Sequence, residues 1–590
     1  MASKDLVTVE VTSEDRVQVH IDAKAALTSR PAAETNDAQA MPKAISAVSI
    51  MDRSVSKASL LVIVDPMSTG ATLAFEAIRL GYKLCCVWSD VCPESLRHFV
   101  ADGMDLDFAG EVLHDGDLNA TIHALAQIGT VADVIVGSEP GVELADQLSS
   151  ALGLRSNGLE QSATRRNKFE QSEAVRSRGL AAGGQALVST AAEVEAFIVD
   201  YCTPFTKGVV KPVDGAASEG VTICTSAQQM RTAFAALQGT TNVFGRANRQ
   251  VLLMEYLGGD EYVVDTVSRD GVHKCVAIWK YIKQPLNGVA NVFYGQRLML
   301  VPSTTADPED PLTRMVAYIF GVLDAIGIQH GAVHSEVKYD SSTPHGVARG
   351  PVLIETNCRL HGIEGSWQPI VDKCLGYSQV SVLLDAYHKE PNNFKAIPGT
   401  PSTFHAHGAQ VGVRSTVEGT IRCVNEARLK AIRGVESYCG ENLPLKTSLA
   451  AGQSISKTVD IITLCGQINL AHASRTKLEE DLAYVQLIID LGLFEVTKDA
   501  TSSTTTSMAL PSPVLPGGSA AATATAAIGP IAVPLAPTVA PLLRMLQTFL
   551  AGFCIPMCID KGDGAVHGLF DGDRPLTPKP LRSRALRLSH

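Results

Sequence analysis

Two stretches decide how this chain is read: Gly331-Ala332-Val333-His334-Ser335-Glu336-Val337 and Val352-Leu353-Ile354-Glu355-Thr356-Asn357-Cys358-Arg359. Their apolar and β-branched residues predict strands. Period two places His334 and Glu336 on one face of the first, with Val333, Ser335 and Val337 on the other. It gives Glu355 and Asn357 a common face on the second. Carboxylates in apolar strands are costly to bury unless a cation compensates them. Magnesium takes oxygen ligands and borrows some from phosphates, so it is the natural counter-ion, with manganese as the alternative. Glu336, Glu355 and Asn357 are therefore candidate metal ligands. A structural salt bridge with Lys338 or Arg359 is the plainer alternative.

Four further elements precede these strands, and their chemical types together suit a nucleotide triphosphate with a metal. Arg166-Asn167-Lys168 stands near the start of a helix, and Val209-Val210-Lys211-Pro212 carries a lysine to the end of a β-branched run. Isolated lysines are mostly solvated, but ammonium groups at Lys168 and Lys211 could neutralise α- and β-phosphates. The segment Gly215-Ala216-Ala217-Ser218-Glu219-Gly220-Val221 follows at once. Gly215 and Gly220 let backbone N–H groups approach phosphate oxygens, and Ser218 adds a hydroxyl, although a tight hairpin turn explains the segment equally well. No Gly-x-x-x-x-Gly-Lys-Ser/Thr motif is present. Val251-Leu252-Leu253-Met254-Glu255-Tyr256-Leu257, then Gly258-Gly259-Asp260-Glu261, reads as strand, turn and strand. Backbone groups at Glu255 and Leu257 would read an adenine edge and Glu261 would bind ribose hydroxyls, with a plain hairpin as the alternative.

A chain of 590 residues has room for three or four domains, and 45% apolar with 19% charged residues suits a folded enzyme. The formal net charge of −11 argues against general affinity for nucleic acid or anionic membrane. The cysteines carry no repeated Cys-x-x-Cys pairs, so they read as reduced core thiols. Met1 to Arg30 resembles neither a signal nor a transit peptide, which makes the cytoplasm the default location. Val539 to Ile559 approaches the ~20 residues needed to cross a bilayer, but Pro541, Arg544, Gln547 and Pro556 interrupt it.

Along the chain, 1–56 reads as an N-terminal tail and linker. Strands at Leu60 to Val64, Lys83 to Trp88 and Ala132 to Gly137, with helices through Arg79 and from Val142 to Leu152, make 57–160 a small doubly wound domain. Gly70 there lacks a full Gly-x-Gly-x-x-Gly, so it predicts no dinucleotide site. The chemically suggestive residues occupy 161–397. Strands at Gln410 to Val413, Val435 to Tyr438 and Ile461 to Ile468, then a helix from Ser474 to Leu491, make 398–498 an α+β capping domain. The Pro/Ala/Gly-rich 499–590 reads as a low-complexity tail.

The series closely resembles the ATP-grasp superfamily over roughly residues 57 to 497. Its strongest piece is Glu355-x-Asn357-x-Arg359, which looks like the family's Glu-x-Asn-Pro-Arg motif with Cys358 where proline is usual. Ala217 stands where glycine is frequent. The resemblance implies an α/β and α+β fold: a Rossmann-like N-terminal domain, a two-subdomain ATP-grasp fold and a β-rich C-terminal domain. It also implies that Lys168 and Lys211 contact phosphates of ATP, that Gly215 to Gly220 covers them, that Glu255 and Leu257 hold adenine and Glu261 ribose, and that Glu336 and Glu355 bind magnesium. Val62 to Pro66, Trp279 to Lys283 with Asn287-Gly288, and the late β-domain look most similar to L-amino-acid ligases and related carboxylate–amine ligases. The implied reaction activates a carboxylate as an acyl phosphate and passes it to an amine, with amino acids the foremost substrates. Arg359 would bind the acyl-phosphate oxygens, and His334 is a candidate base alongside the packed, hydrogen-bonded role usual for such a histidine. The alternatives are a bicarbonate-using enzyme of the same fold, of carboxylase or carbamoyl-phosphate type, and a non-catalytic ATP-binding protein. A homodimer is the default assembly.

Overall fold

The computed structural model describes residues 7–12, 16–21, 59–97, 106–202, 206–213, 220–242, 245–301, 310–388, 390–442, 449–497, 557–559 and 565–568. They fall into two compact units, one formed by 1–43 with 500–590 and the other by 44–499. In the first, strands Val7–Thr12, Arg16–Ile21, Met557–Ile559 and Ala565–Gly568 form an antiparallel sheet. The stretches expected to be tails therefore contain strands, which in 7–12 and 16–21 follow the period-two alternation of their valines. The apolar run from Val539 lies outside the described residues except for its last three. Among the described residues no helix is long and apolar enough to cross a membrane.

All candidate site residues belong to the larger unit. It opens with strands β1 (Ser59–Val64), β2 (Lys83–Trp88), β3 (Gly110–Leu113) and β4 (Thr130–Val136), which form a parallel sheet of order β3-β2-β1-β4. Helices α1 (Thr69–Arg79), α2 (Leu118–Ile128) and α3 (Val142–Ala151) connect and cover them. β1 and β2 are nearly continuous apolar runs because helices bury both faces of a parallel sheet. Gly70 serves packing: a Cβ there would lie 2.5 Å from the Gly137 carbonyl oxygen.

Next comes α4 (Lys168–Ser177), then a smaller antiparallel sheet made of β5 (Gln185–Val188), β6 (Gly208–Pro212), β7 (Thr222–Cys224) and β8 (Val251–Glu255) in the order β5-β8-β6-β7. Helices α5 (Ala191–Tyr201) and α6 (Ala227–Leu237) bury Phe197, Met230 and Phe234 against it.

The largest sheet has eight strands. β9 (Asp260–Arg269), β10 (Val272–Leu286), β11 (Val289–Met299), β12 (Gly331–Tyr339), β13 (Val352–Asn357), β14 (His407–Gly412), β15 (Tyr438–Asn442) and β16 (Gln467–His472) stand in the order β13-β12-β9-β10-β11-β14-β16-β15. β14 pairs with β11, so the segment after 397 continues the central sheet. Two late strands start further on than their apolar runs suggest. Residues 461–466 turn instead, because Asp460 Oδ1 accepts hydrogen bonds from the Thr463 amide at 2.8 Å and its hydroxyl at 2.7 Å.

Candidate active site

The register of β12 and β13 sets Glu336 directly opposite Glu355, and His334 opposite Asn357. The partners of a plain structural salt bridge are engaged elsewhere: Lys338 lies 3.3 Å from Glu261 and the Arg359 Nε lies 3.2 Å from Glu139. Glu355 is instead paired with Lys168 at 2.9 Å. α4 begins at that lysine because the Asn167 side chain caps the helix, accepting from the Phe169 and Glu170 amides at 2.9 and 3.2 Å.

Lys211 reaches the same place from the smaller sheet. Its side chain is buried, and Nζ donates to the Ile354 carbonyl at 3.3 Å. Burial pulls its pKa down to about 8, against the pull of Glu355, Glu336 and Glu261. Burial also opposes ionisation of Glu355, yet the ammonium groups of Lys168 and Lys211 outweigh it and hold that carboxyl at about 2. Two lysines and two carboxylates from four elements thus converge on one spot. Asn357 Nδ2 stands 3.4 Å from Glu355 Oε1.

The remaining expected residues are placed less uniformly. Gly220 has φ +67°, which suits glycine at the end of its loop, while Gly215 and Ser218 lie outside the described residues. The Glu255 amide, expected to be available to adenine, already donates to the Gly184 carbonyl at 2.8 Å, and Arg349 holds the Glu255 carboxylate at 2.5 Å. Leu257 is buried with Met254 and Val352. Glu261 is clasped by Lys283 at 2.5 Å and Lys338 at 3.3 Å. These ammonium groups keep it ionised although burial opposes this.

His334 does not have the surroundings of a free base. Its Nδ1 lies 3.0 Å from Asp265 Oδ1 and its Nε2 lies 3.5 Å from Glu336 Oε1. Burial favours the neutral ring, but hydrogen bonds to the two carboxylates outweigh it and raise the pKa. Asp265 also receives His361 Nδ1 at 2.8 Å and the Trp279 indole N–H at 3.0 Å. This buried Asp265 network was not singled out in the sequence, although period two from Glu261 through Val263 to Asp265 would have put it on the right face. Glu139, which also bonds Arg166, gave no local signal because it lies in the first domain.

Known proteins resemble this chain in sequence and in fold. Residues 204–363 match the ATP-grasp domain family. Dapdiamide A synthase of Enterobacter agglomerans is 31% identical over 434 residues, covering 72% of this chain and 95% of that protein. The structure is similar to that of an L-amino acid ligase from Bacillus licheniformis, with TM-score 0.56 and 17% identity over 75% of this chain and 99% of that one. It is similar also to carboxyaminoimidazole ribonucleotide synthase from Aspergillus clavatus complexed with ATP, with TM-score 0.53 and 14% identity over 74% of this chain and 100% of that one. At these identities the structural likeness establishes the fold.

Proposed function

Since the chain belongs to the ATP-grasp superfamily, with kinship to its carboxylate–amine ligases, we propose that it joins the carboxyl group of one amino-acid-like substrate to the amine of another. The general chemistry is that of an ATP-utilising enzyme that forms carbon–nitrogen bonds. Similarity to proteins named dapdiamide A synthase and L-amino acid ligase supports amino acids as the substrate class.

The observation that carries the reading is the opposed pair Glu336 and Glu355 with Lys168 and Lys211 gathered on it. This donor set fits a hard divalent ion and a polyphosphate. Glu336, Glu355 and Asn357 offer oxygens to magnesium, and the two ammonium groups offset phosphate charge. When bound, ATP with its ion supplies the phosphoryl group for activation and a positive centre that offsets charge on the oxygens. In the first step a substrate carboxylate oxygen bonds to the γ-phosphorus as the bond to ADP breaks. In the second, the amine nitrogen bonds to the activated carbonyl carbon. The carbon–oxygen bond then breaks, phosphate leaves with its electron pair, and the surplus amine proton passes to phosphate or water.

Arg359, whose Nε lies 3.2 Å from Glu139, would bind the acyl-phosphate oxygens through its planar guanidinium. His334 orients Glu336 rather than removing a proton. The test is a pairwise screen of amino acids with magnesium and ATP, reading phosphate release and product mass. Release that needs both an acid and an amine, with a product lighter than their sum by one water, is expected. Turnover that follows bicarbonate instead would overturn the reading.

A further inference from the structure

The register that assembles the site continues beyond it. Glu336 stands opposite Val263 and Val263 opposite Trp279. Two residues along β10, Tyr281 stands opposite Gln296, Gln296 opposite Gln410, and Gln410 opposite Asn469. Opposed residues share a face of a sheet, so three amide side chains lie on the same face as the paired carboxylates. All three are buried, and Gln296 is 1% exposed. Tyr281, next to Gln296, lies within electrostatic reach of Glu336, Asp265, Glu261 and Arg359.

Hydrogen bonding fixes the direction of this amide row. The Ser366 carbonyl can only accept, so Asn469 must turn Nδ2 towards it, at 2.6 Å. Asn469 Oδ1 is then left to accept from Gln410 Nε2 at 3.0 Å, and Gln410 Nε2 also contacts Ser366 Oγ at 3.1 Å. Gln410 Oε1 in turn accepts from Gln296 Nε2 at 3.1 Å. The row ends on Gln296 Oε1, a buried acceptor without a hydrogen-bond partner among the described residues. A buried unpaired acceptor is costly, and a donor from outside the fold, a substrate N–H or an ordered water, would relieve that cost.

The anchored end of the row lies in the loop that follows Arg359. Ile363 and Glu364 there have φ of 59° and 55°, a region unfavourable to a β-branched residue. The loop is held from both flanks: the Glu364 amide donates to Ser68 Oγ at 3.0 Å, and Asn442 Nδ2 donates to the Glu364 carboxylate at 2.9 Å.

We propose that Gln296 recognises the attacking amine: its Oε1 accepts an N–H of the second substrate and is held for this by Gln410, Asn469 and Ser366. The inference rests on the ligase reading. An acceptor of fixed direction selects a donor nitrogen over a carboxylate oxygen, which can only accept. Being neutral, it holds the amine without stabilising the unreactive ammonium form, as a carboxylate would.

The test is Gln296→Met, which keeps length and removes the acceptor, assayed with the acid and amine that the wild type uses best. Expected is a rise of tenfold or more in KM for the amine, with KM for the acid and the Kd for magnesium–ADP within about twofold. Hydroxamate formation with excess hydroxylamine should persist, since it reports activation of the acid. Gln296→Asn, which withdraws the acceptor by one methylene, should shift the same constant in the same direction, and it serves if the first variant does not fold. An unmoved amine KM in the folded variants would overturn the proposal and leave Gln296 Oε1 to an ordered water. Failure of the wild type to release phosphate with any acid–amine pair would instead defeat the ligase reading itself.

Discussion

Lys211 holds an ammonium where little water reaches, 5% exposed, and its pKa is drawn down to about 8 by burial. Such a cation is tolerated because Glu355, Glu336 and Glu261 surround it, and a polyphosphate would improve its surroundings further. Lys211→Ala should therefore weaken magnesium–ADP binding by about 2–5 kcal/mol, the cost of breaking a buried charge pair. Near-normal affinity in calorimetry would remove Lys211 from the nucleotide site. Glu355→Gln separates metal chemistry from folding. The amide keeps the shape of the side chain, but it gives up a charged oxygen donor and the partner of Lys168 at 2.9 Å. Turnover should fall on the order of a hundredfold or more, because the divalent ion that would offset charge on the phosphoryl oxygens loses a charged ligand. The melting temperature should fall too, by about 6–12 °C for a loss of about 3 kcal/mol, because Lys168 and Lys211 lose the carboxylate that offsets their charge. A variant that melts early yet turns over normally once folded would eliminate the ligand role.

At the scale of elements, the tip of β1 carries a pH-dependent term. Asp65 is fully buried, accepts from the Ser89 amide at 2.8 Å and its hydroxyl at 2.6 Å, and has φ 52°. Burial pushes its pKa up to about 6 although the Ser89 bonds pull it down. The folded state therefore holds this proton more tightly than the unfolded chain does. Stability from Asp65 is full below about pH 4 and is lost as pH rises to about 6, a difference of about 3 kcal/mol. Asp65→Asn, which tolerates positive φ, should flatten that loss in melting curves taken between pH 4 and 7. Parallel curves for the two proteins would show that Asp65 ionises as freely folded as unfolded. The strands around this tip were legible because apolar runs and turn residues bound them, and so was the shared face of Glu355 and Asn357. Register was not legible. Nothing local in β12 or β13 says that Glu336 meets Glu355, and His361 reaches Asp265 across 96 residues. The same gap hid the commitment of the Glu255 amide to Gly184, since a strand end shows its donors but not their partners.

For the whole molecule, the residues between Leu60 and Phe494 hold extensive hydrophobic cores of their own. The segment 44–499, which forms one compact unit, should then fold without the remainder and turn over within about threefold of the full chain. A soluble 44–499 that binds ADP but has no activity would contradict this. The central claim, activation of a carboxylate by phosphoryl transfer before an amine displaces it, makes a prediction about one oxygen atom. The most direct measurement supplies the acid substrate with 18O in its carboxylate and weighs the phosphate released as product forms. The account predicts one 18O in each phosphate, carried over when the carbon–oxygen bond breaks, with ADP as the nucleotide product. Unlabelled phosphate accompanying amide formation, or AMP in place of ADP, would contradict it.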